Sequence, residues 1–251
     1  MRVAAIQHDI VWEDAGATRA LVTPMIREAA AAGARLIVLS EMFATGFSMR
    51  PDRIAEDEGG PSERLLLDQA AEHGAWLIAS IAQRGEDGLF RNNAIVAGPD
   101  GSVRRYAKIH PFSYAGEHEV YAAGDRFLTL DVEGLRVTVF VCYDLRFADE
   151  FWACALDTDV YVVPANWPAA RREHWSILLR ARAVENQAYV IGVNRVGSGG
   201  GLDYAGDTVV IDPLGRTSTT DSDEPSVLLA DVDASVVSDT RRDYRFLPDR
   251  R

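Results

Sequence analysis

The chain has only two cysteines, Cys142 and Cys154, in 251 residues. So small a number excludes a disulfide framework and a cysteine-rich zinc cage. The five histidines show no ligand spacing with them, so no metal site is expected. Basic residues are also scarce: 26 Lys and Arg against 38 Asp and Glu leave a net charge of −12. No stretch concentrates the basic residues, which argues against a nucleic-acid surface. No apolar run is long enough to span a membrane. The opening Met1-Arg2-Val3-Ala4-Ala5-Ile6 reads as a strand rather than a secretory leader. Repeats, heptads and low-complexity linkers are missing, so residues 1–251 read as one domain. Together these absences point to a reducing cytoplasm and a small-molecule partner, with neither nucleic acid nor membrane involved.

What the chain does have is alternation. Strand-like runs fall near residues 2–7, 35–39, 75–82, 92–97, 103–107, 135–141, 159–163, 188–194, 207–212 and 226–231. Helical patterns occupy 15–32, 62–73, 146–156 and 170–186, the first stopping at Gly33. Glu86-Asp87-Gly88 and Asp100-Gly101 read as hairpin turns. This is an α/β chain. Helices on one face of a sheet leave the other face bare, and packing two such sheets together covers both.

Three reactive side chains stand at strand ends. Cys142 follows the apolar run Arg136–Val141 and precedes Tyr143-Asp144-Leu145-Arg146. A thiol on a sharp strand-to-helix turn projects from the sheet with backbone N–H groups close by; a small buried hydrophobe is the plainer reading. Glu41 follows the run 34–40, and Lys108 follows 103–107. Taken singly, Glu41 reads as a turn residue and Lys108 as a solvated charge. Ligands of α/β sheets gather beyond strand ends, so the three can converge if their strands are neighbours. A carboxylate base, a thiol nucleophile and a cation to hold an oxyanion suffice for acyl transfer without a cofactor. A Cys-His arrangement using His110 or His118 is the competing possibility.

Three blocks carry a family resemblance: Glu41-Met42-Phe43-Ala44-Thr45-Gly46-Phe47-Ser48-Met49, Lys108-Ile109-His110-Pro111-Phe112 and Val141-Cys142-Tyr143-Asp144-Leu145-Arg146-Phe147. Ala165-Asn166-Trp167-Pro168, the stretch 180–190, Asn194-Arg195-Val196-Gly197 and Tyr204-Ala205-Gly206-Asp207-Thr208 extend it from Val3 to about Leu247. In order and separation these blocks resemble the nitrilase (carbon–nitrogen hydrolase) superfamily, nearest its omega-amidase branch. The sequence departs from the usual blocks at Ser40 and Ala148, where relatives often have proline, and at Ala107, where they often have an acid.

The resemblance implies a four-layer α-β-β-α sandwich and a Cys-Glu-Lys amidohydrolase. Glu41 is then the base, Cys142 the nucleophile and Lys108 the oxyanion stabiliser, aided by the N–H of Tyr143. Glu117 is a second glutamate that positions substrate and the hydrolytic water, with Glu119 the competing candidate. Phe43 and Trp167 follow strand ends and can wall the pocket or fill the core. Arg146 can grip a substrate carboxylate or sit in an internal ion pair, and Arg182 can pair with Glu185 along one helix. The implied substrates are small amides, above all the terminal amides of 2-oxo dicarboxylic acids. A nitrilase, an N-carbamoyl amidase and a catalytically idle metabolite-binding relative are the alternatives. Relatives commonly form homodimers through a helix after the nucleophile and through the C-terminal segment, here 145–156, 171–186 and the tail from Ser235 onward.

Overall fold

The computed structural model describes residues 1–220 and 223–249. One sheet holds β1 (Arg2–Gln7), β2 (Leu36–Val38), β3 (Glu56–Asp57), β4 (Trp76–Arg84), β5 (Phe90–Ala97), β6 (Val103–Ala107) and β15 (Ser226–Asp231). Its order is β15-β1-β2-β4-β5-β6, with β3 paired to the edge of β4. The second sheet holds β7 (Thr129–Val132), β8 (Leu135–Val139), β9 (Val160–Ala165), β10 (Tyr189–Asn194), β13 (Val209–Ile211) and β14 (Thr217–Thr219), in the order β14-β13-β10-β9-β8-β7. A separate hairpin joins β11 (Val196–Gly199) to β12 (Leu202–Ala205). The central pairs β1/β2, β2/β4, β8/β9 and β9/β10 are parallel, so their C-terminal ends lie on the same side of each sheet.

The layering follows from side-chain alternation. In β1, Val3 and Ala5 pack toward the second sheet with Leu36, Val38, Ile78, Val137, Val139, Val160 and Val162. Ala4 and Ile6 point the other way, with Ile37, Leu77 and Ala79, onto α1 (Ala15–Ala31) and α3 (Pro61–His73). Because strands on both sides of the interface are covered on both faces, they are nearly continuous apolar runs. The far face of the second sheet is covered by α5 (Ala148–Ala153) and α6 (Arg172–Asn186), through Phe151, Trp175, Leu179 and Ala183. These are four layers, α-β-β-α. Gly192 of β10 lies under α6 so closely that a methyl group there would meet Leu179 and Trp175 at 2.5 and 2.9 Å.

Several elements depart from the sequence reading. The helix expected over 146–156 is broken into a 3₁₀ turn at Cys142–Arg146, the short α5, and a second 3₁₀ turn at Ala155–Asp157. Its hydrogen-bonding groups are diverted: Arg182 takes the Leu145 carbonyl at 2.8 Å, and Thr158 takes that of Cys154 at 2.8 Å. Cys154 therefore caps α5 instead of lying within a helix. Helices α2 (Pro51–Ile54), α4 (Glu117–Val120) and α7 (Ala234–Asp243), and strands β3, β7, β11, β12 and β14, were not expected. Among the described residues, no helix is long and apolar enough to cross a membrane. The last two residues of the tail, 250 and 251, lie outside the described residues.

Candidate active site

The three strand ends meet where the sheets abut. After β2 the chain keeps its alignment with β4: Leu39 N–H donates to the Ile78 carbonyl and Phe43 N–H to that of Ser80. The Ser80 hydroxyl accepts from Met42 N–H at 2.8 Å and donates to Asn92 Oδ1 at 2.8 Å. Ser40 contacts His8 Nε2 at 3.0 Å, and burial holds the His8 imidazole down at about 4, so it is neutral at physiological pH. Glu41 is thereby fixed at the floor with no solvent exposure.

Lys108 is 1 % exposed and is flanked by two carboxylates, Glu41 Oε1 at 2.9 Å and Glu117 Oε2 at 2.8 Å. Asn92 bridges the same two, donating from Nδ2 to Glu41 Oε1 at 2.8 Å and to Glu117 Oε1 at 3.1 Å. Burial alone would depress the lysine, but Glu117 and Glu41 outweigh it and hold the ammonium charged well above its ordinary range. Burial raises Glu117, as does the neighbouring Glu41, against the pull of Lys108. Glu117 Oε2 also accepts the Phe112 N–H, while Oε1 accepts from Asn92 and Lys108. Glu119, in contrast, is exposed.

Cys142 begins the 3₁₀ turn with φ of 46°, a left-handed conformation unfavourable to a residue with a Cβ. Its neighbours hold it there. The buried Asp144 carboxylate accepts from Val141 N–H at 2.9 Å, Tyr106 OH at 2.8 Å and His110 N–H at 2.9 Å. Arg182 clamps the Leu145 carbonyl, packs over Phe151 and forms the expected pair with Glu185 at 2.8 Å. Burial pushes the Cys142 thiol well above its ordinary range and Glu41 adds to that push, while Lys108 and the Asn166 N–H oppose it. The resting group is thus a thiol with a carboxylate beside it. His110 is occupied with Asp144 and stacks on Phe147, and His118 is exposed on α4.

The cleft above the thiol encloses about 60 Å³ and is lined by Tyr143, Arg146 and Trp167, together with Phe47, Asn166 and Arg171, which the sequence did not single out as pocket residues. Phe43 is corrected: its ring is fully buried among Ile37, Leu39 and Ala79 in the core under α1 and α3. Phe47, four residues on, faces the site instead, with the Lys108 ammonium 5.0 Å from its ring centre. Of the two readings of Arg146, the internal ion pair is not found: among the described residues it has no carboxylate partner. It lies over Trp167 at 4.9 Å and reaches His174 Nδ1 at 3.2 Å. Asn166 escaped the sequence reading as a positioning group. Its N–H donates to Glu41 Oε2 at 2.9 Å and its side chain to the Glu41 carbonyl. Among the described residues no cluster of His, Cys, Asp and Glu could hold a metal ion.

This electrostatic balance gives a measurable expectation. Replacing Glu41 by Gln removes a negative neighbour of the thiol and keeps Lys108, so the Cys142 pKa falls relative to the wild type. Thiolate ultraviolet absorbance, taken as the difference between each protein and its Cys142→Ala counterpart, reads this directly. An unchanged or higher titration midpoint in Glu41→Gln contradicts the arrangement described.

Residues 2–242 match the family model for carbon-nitrogen hydrolases. The chain is 37% identical over 249 residues to the omega-amidase YafV of Yersinia enterocolitica, covering 98% of this chain and 93% of that one. It is 30% identical over 224 residues to a 2-oxoglutaramate amidase of Bacillus subtilis, covering 87% and 85%. A solved structure of XC1258 from Xanthomonas campestris, described as a CN-hydrolase superfamily protein with an arsenic adduct in its active site, superposes with a TM-score of 0.95. It is 35% identical and covers 100% of this chain and 97% of that one. With its four-layer sandwich and this match along nearly its whole length, the chain belongs to the carbon–nitrogen hydrolase family, in the omega-amidase branch of the nitrilase superfamily.

Proposed function

We propose that the protein is an amidase that hydrolyses the terminal amide of small 2-oxo dicarboxylic acid monoamides through a Cys142 thioester. The observation that carries this reading is the convergence of a thiol, a buried carboxyl and a buried amine at the ends of three strands. The amide carbon meets Cys142 Sγ as Glu41 takes the thiol proton. Charge moves onto the amide oxygen, where Lys108 and the Tyr143 N–H stabilise it. Glu41 returns the proton to the leaving nitrogen, ammonia departs and a thioester remains. Water, deprotonated by the same glutamate, attacks the thioester and releases the acid. Glu117, pinned by the Phe112 N–H, acts by holding the Lys108 ammonium in place.

Substrate selection rests on the cleft. Arg146, free of any protein carboxylate among the described residues and backed by Trp167, is suited to grip the carboxylate remote from the scissile amide. The similarity to the omega-amidase and the 2-oxoglutaramate amidase supports the same substrate class. The thiol and carboxylates supply the chemistry without a cofactor. Because the nucleophile must stay reduced, a cytoplasmic location fits, and both cysteines are free.

A homodimer is part of this proposal. On α6, Trp175 and Leu179 point inward, whereas Ile177 is 63% and Val184 42% exposed. These two line a shallow groove with Ser176, Arg180 and Ala181, and Leu156, Tyr244 and Phe246 add further exposed apolar surface. Closed two-fold pairing is the commonest way such surface is covered. Light scattering at micromolar concentration should give twice the chain mass, and a fully active monomer would refute the pairing.

The activity is tested by ammonia release from 2-oxosuccinamate, a neutral short-chain amide, a nitrile and an N-carbamoyl amino acid. The first should be fastest. Cys142→Ala should lower turnover roughly 10⁴-fold or more and Lys108→Ala about 10²- to 10³-fold. Faster release from the nitrile or N-carbamoyl compound moves the protein to another activity of the superfamily, and no release from any of them makes it an idle relative.

A further inference from the structure

The outer wall of the cleft contains a second arginine that the mechanism leaves unused. Arg171 ends the 3₁₀ turn Ala169–Arg171, which follows Trp167-Pro168 at the end of β9. Its backbone carbonyl accepts the Trp167 Nε1–H at 2.8 Å, which ties the turn to the ring that backs Arg146. Its guanidinium lies 5.6 Å from the ring centre of Phe112, another cleft residue. A guanidinium resting on an aromatic face keeps its in-plane N–H groups available for an acceptor. Among the described residues that guanidinium has neither an ion-pair partner nor a hydrogen-bond acceptor. Arg172, the next residue, has its charge committed to Asp207 at 2.7 Å.

The surroundings make this unpaired charge informative. The cleft lining contains two arginines and no aspartate or glutamate, in a chain of net charge −12. The β11–β12 hairpin adds Leu202 and Tyr204 to the lining. Tyr204 is held by the fully buried Arg195, whose guanidinium lies 4.5 Å from the centre of its ring. Beside the buried Glu41–Lys108–Glu117 cluster, two guanidiniums with no ion-pair partner among the described residues favour an anionic ligand.

We propose that Arg171 is a specificity-determining residue, a second anchor beside Arg146 for the anionic end of the acyl group and of the dicarboxylate product. This rests on the amidase reading for its substrate but not for its binding chemistry. A carboxylate next to a 2-oxo group offers more acceptor oxygens than one guanidinium fork engages, and Arg171 supplies donors for the remainder.

The test compares wild type, Arg171→Gln and Arg171→Lys, with folding checked by thermal denaturation. In Arg171→Gln, the ratio of kcat/KM for 2-oxosuccinamate to that for propionamide should fall about 10- to 100-fold. Arg171→Lys should restore part of it. In parallel, 2-oxoglutarate binding is measured by calorimetry on Cys142→Ala with and without Arg171→Gln, and Kd should rise by about the same factor. A wild-type ratio near one refutes the carboxylate-preferring amidase reading, and the binding comparison then still decides the role of Arg171. An unchanged ratio in a wild type that does prefer the anion, equal Kd values, or failure of 2-oxoglutarate to bind the Cys142→Ala parent overturns the proposal.

Discussion

The structure depends on one buried cation. Lys108 sits between Glu41 and Glu117 with almost no exposure to water, and three charges in such a place are tolerated only because they satisfy one another. Removing one partner leaves another charge buried without compensation, so the cluster is an all-or-none unit. Asn92 and the Asn166 N–H take up further carboxylate lone pairs and so fix the orientation of Glu41. Glu41, Lys108 and Asn166 lie just beyond β2, β6 and β9, Asn92 lies within β5, and Glu117 comes from a short helix whose preceding loop it pins through the Phe112 N–H.

The cluster also sets the resting state of the nucleophile. Burial and the adjacent Glu41 keep the proton on sulfur, and Lys108 opposes them. A site poised in this way does not maintain an exposed, oxidisable thiolate between turnovers. The buried Asp144 and Arg182 hold the left-handed turn at Cys142 in that conformation.

The sequence made some of this legible and hid the rest for physical reasons. Strand ends followed by Glu, Lys and Cys are readable because buried parallel strands are apolar runs and the polar residue ending each run is conspicuous. The blocks around them pointed to the fold as well. Phe43 and Phe47 cannot be ranked from sequence, because Met42 takes a positive φ of 39° and turns the chain, sending the first ring into the core and leaving the second over Lys108. Asn92 and Asn166 are uncharged and unremarkable in their own segments, since their importance comes from partners 51 and 125 residues away. The β11–β12 hairpin is rich in glycine and lacks clear alternation, yet it carries Tyr204 into the cleft. The helix expected over 146–156 is short because Arg182 takes the Leu145 carbonyl just before it and Thr158 takes that of Cys154 near its end, contacts that periodicity does not encode.

The central claim is that this charge cluster serves a covalent step at Cys142. Rapid quenching of the reaction with a slowly deacylating amide, followed by intact-mass and peptide mass spectrometry, tests it most directly. The account predicts an acyl adduct confined to the peptide containing Cys142, formed as ammonia is released and absent in Cys142→Ala. Turnover with no adduct at any time, or an adduct on Cys154 alone, would contradict it.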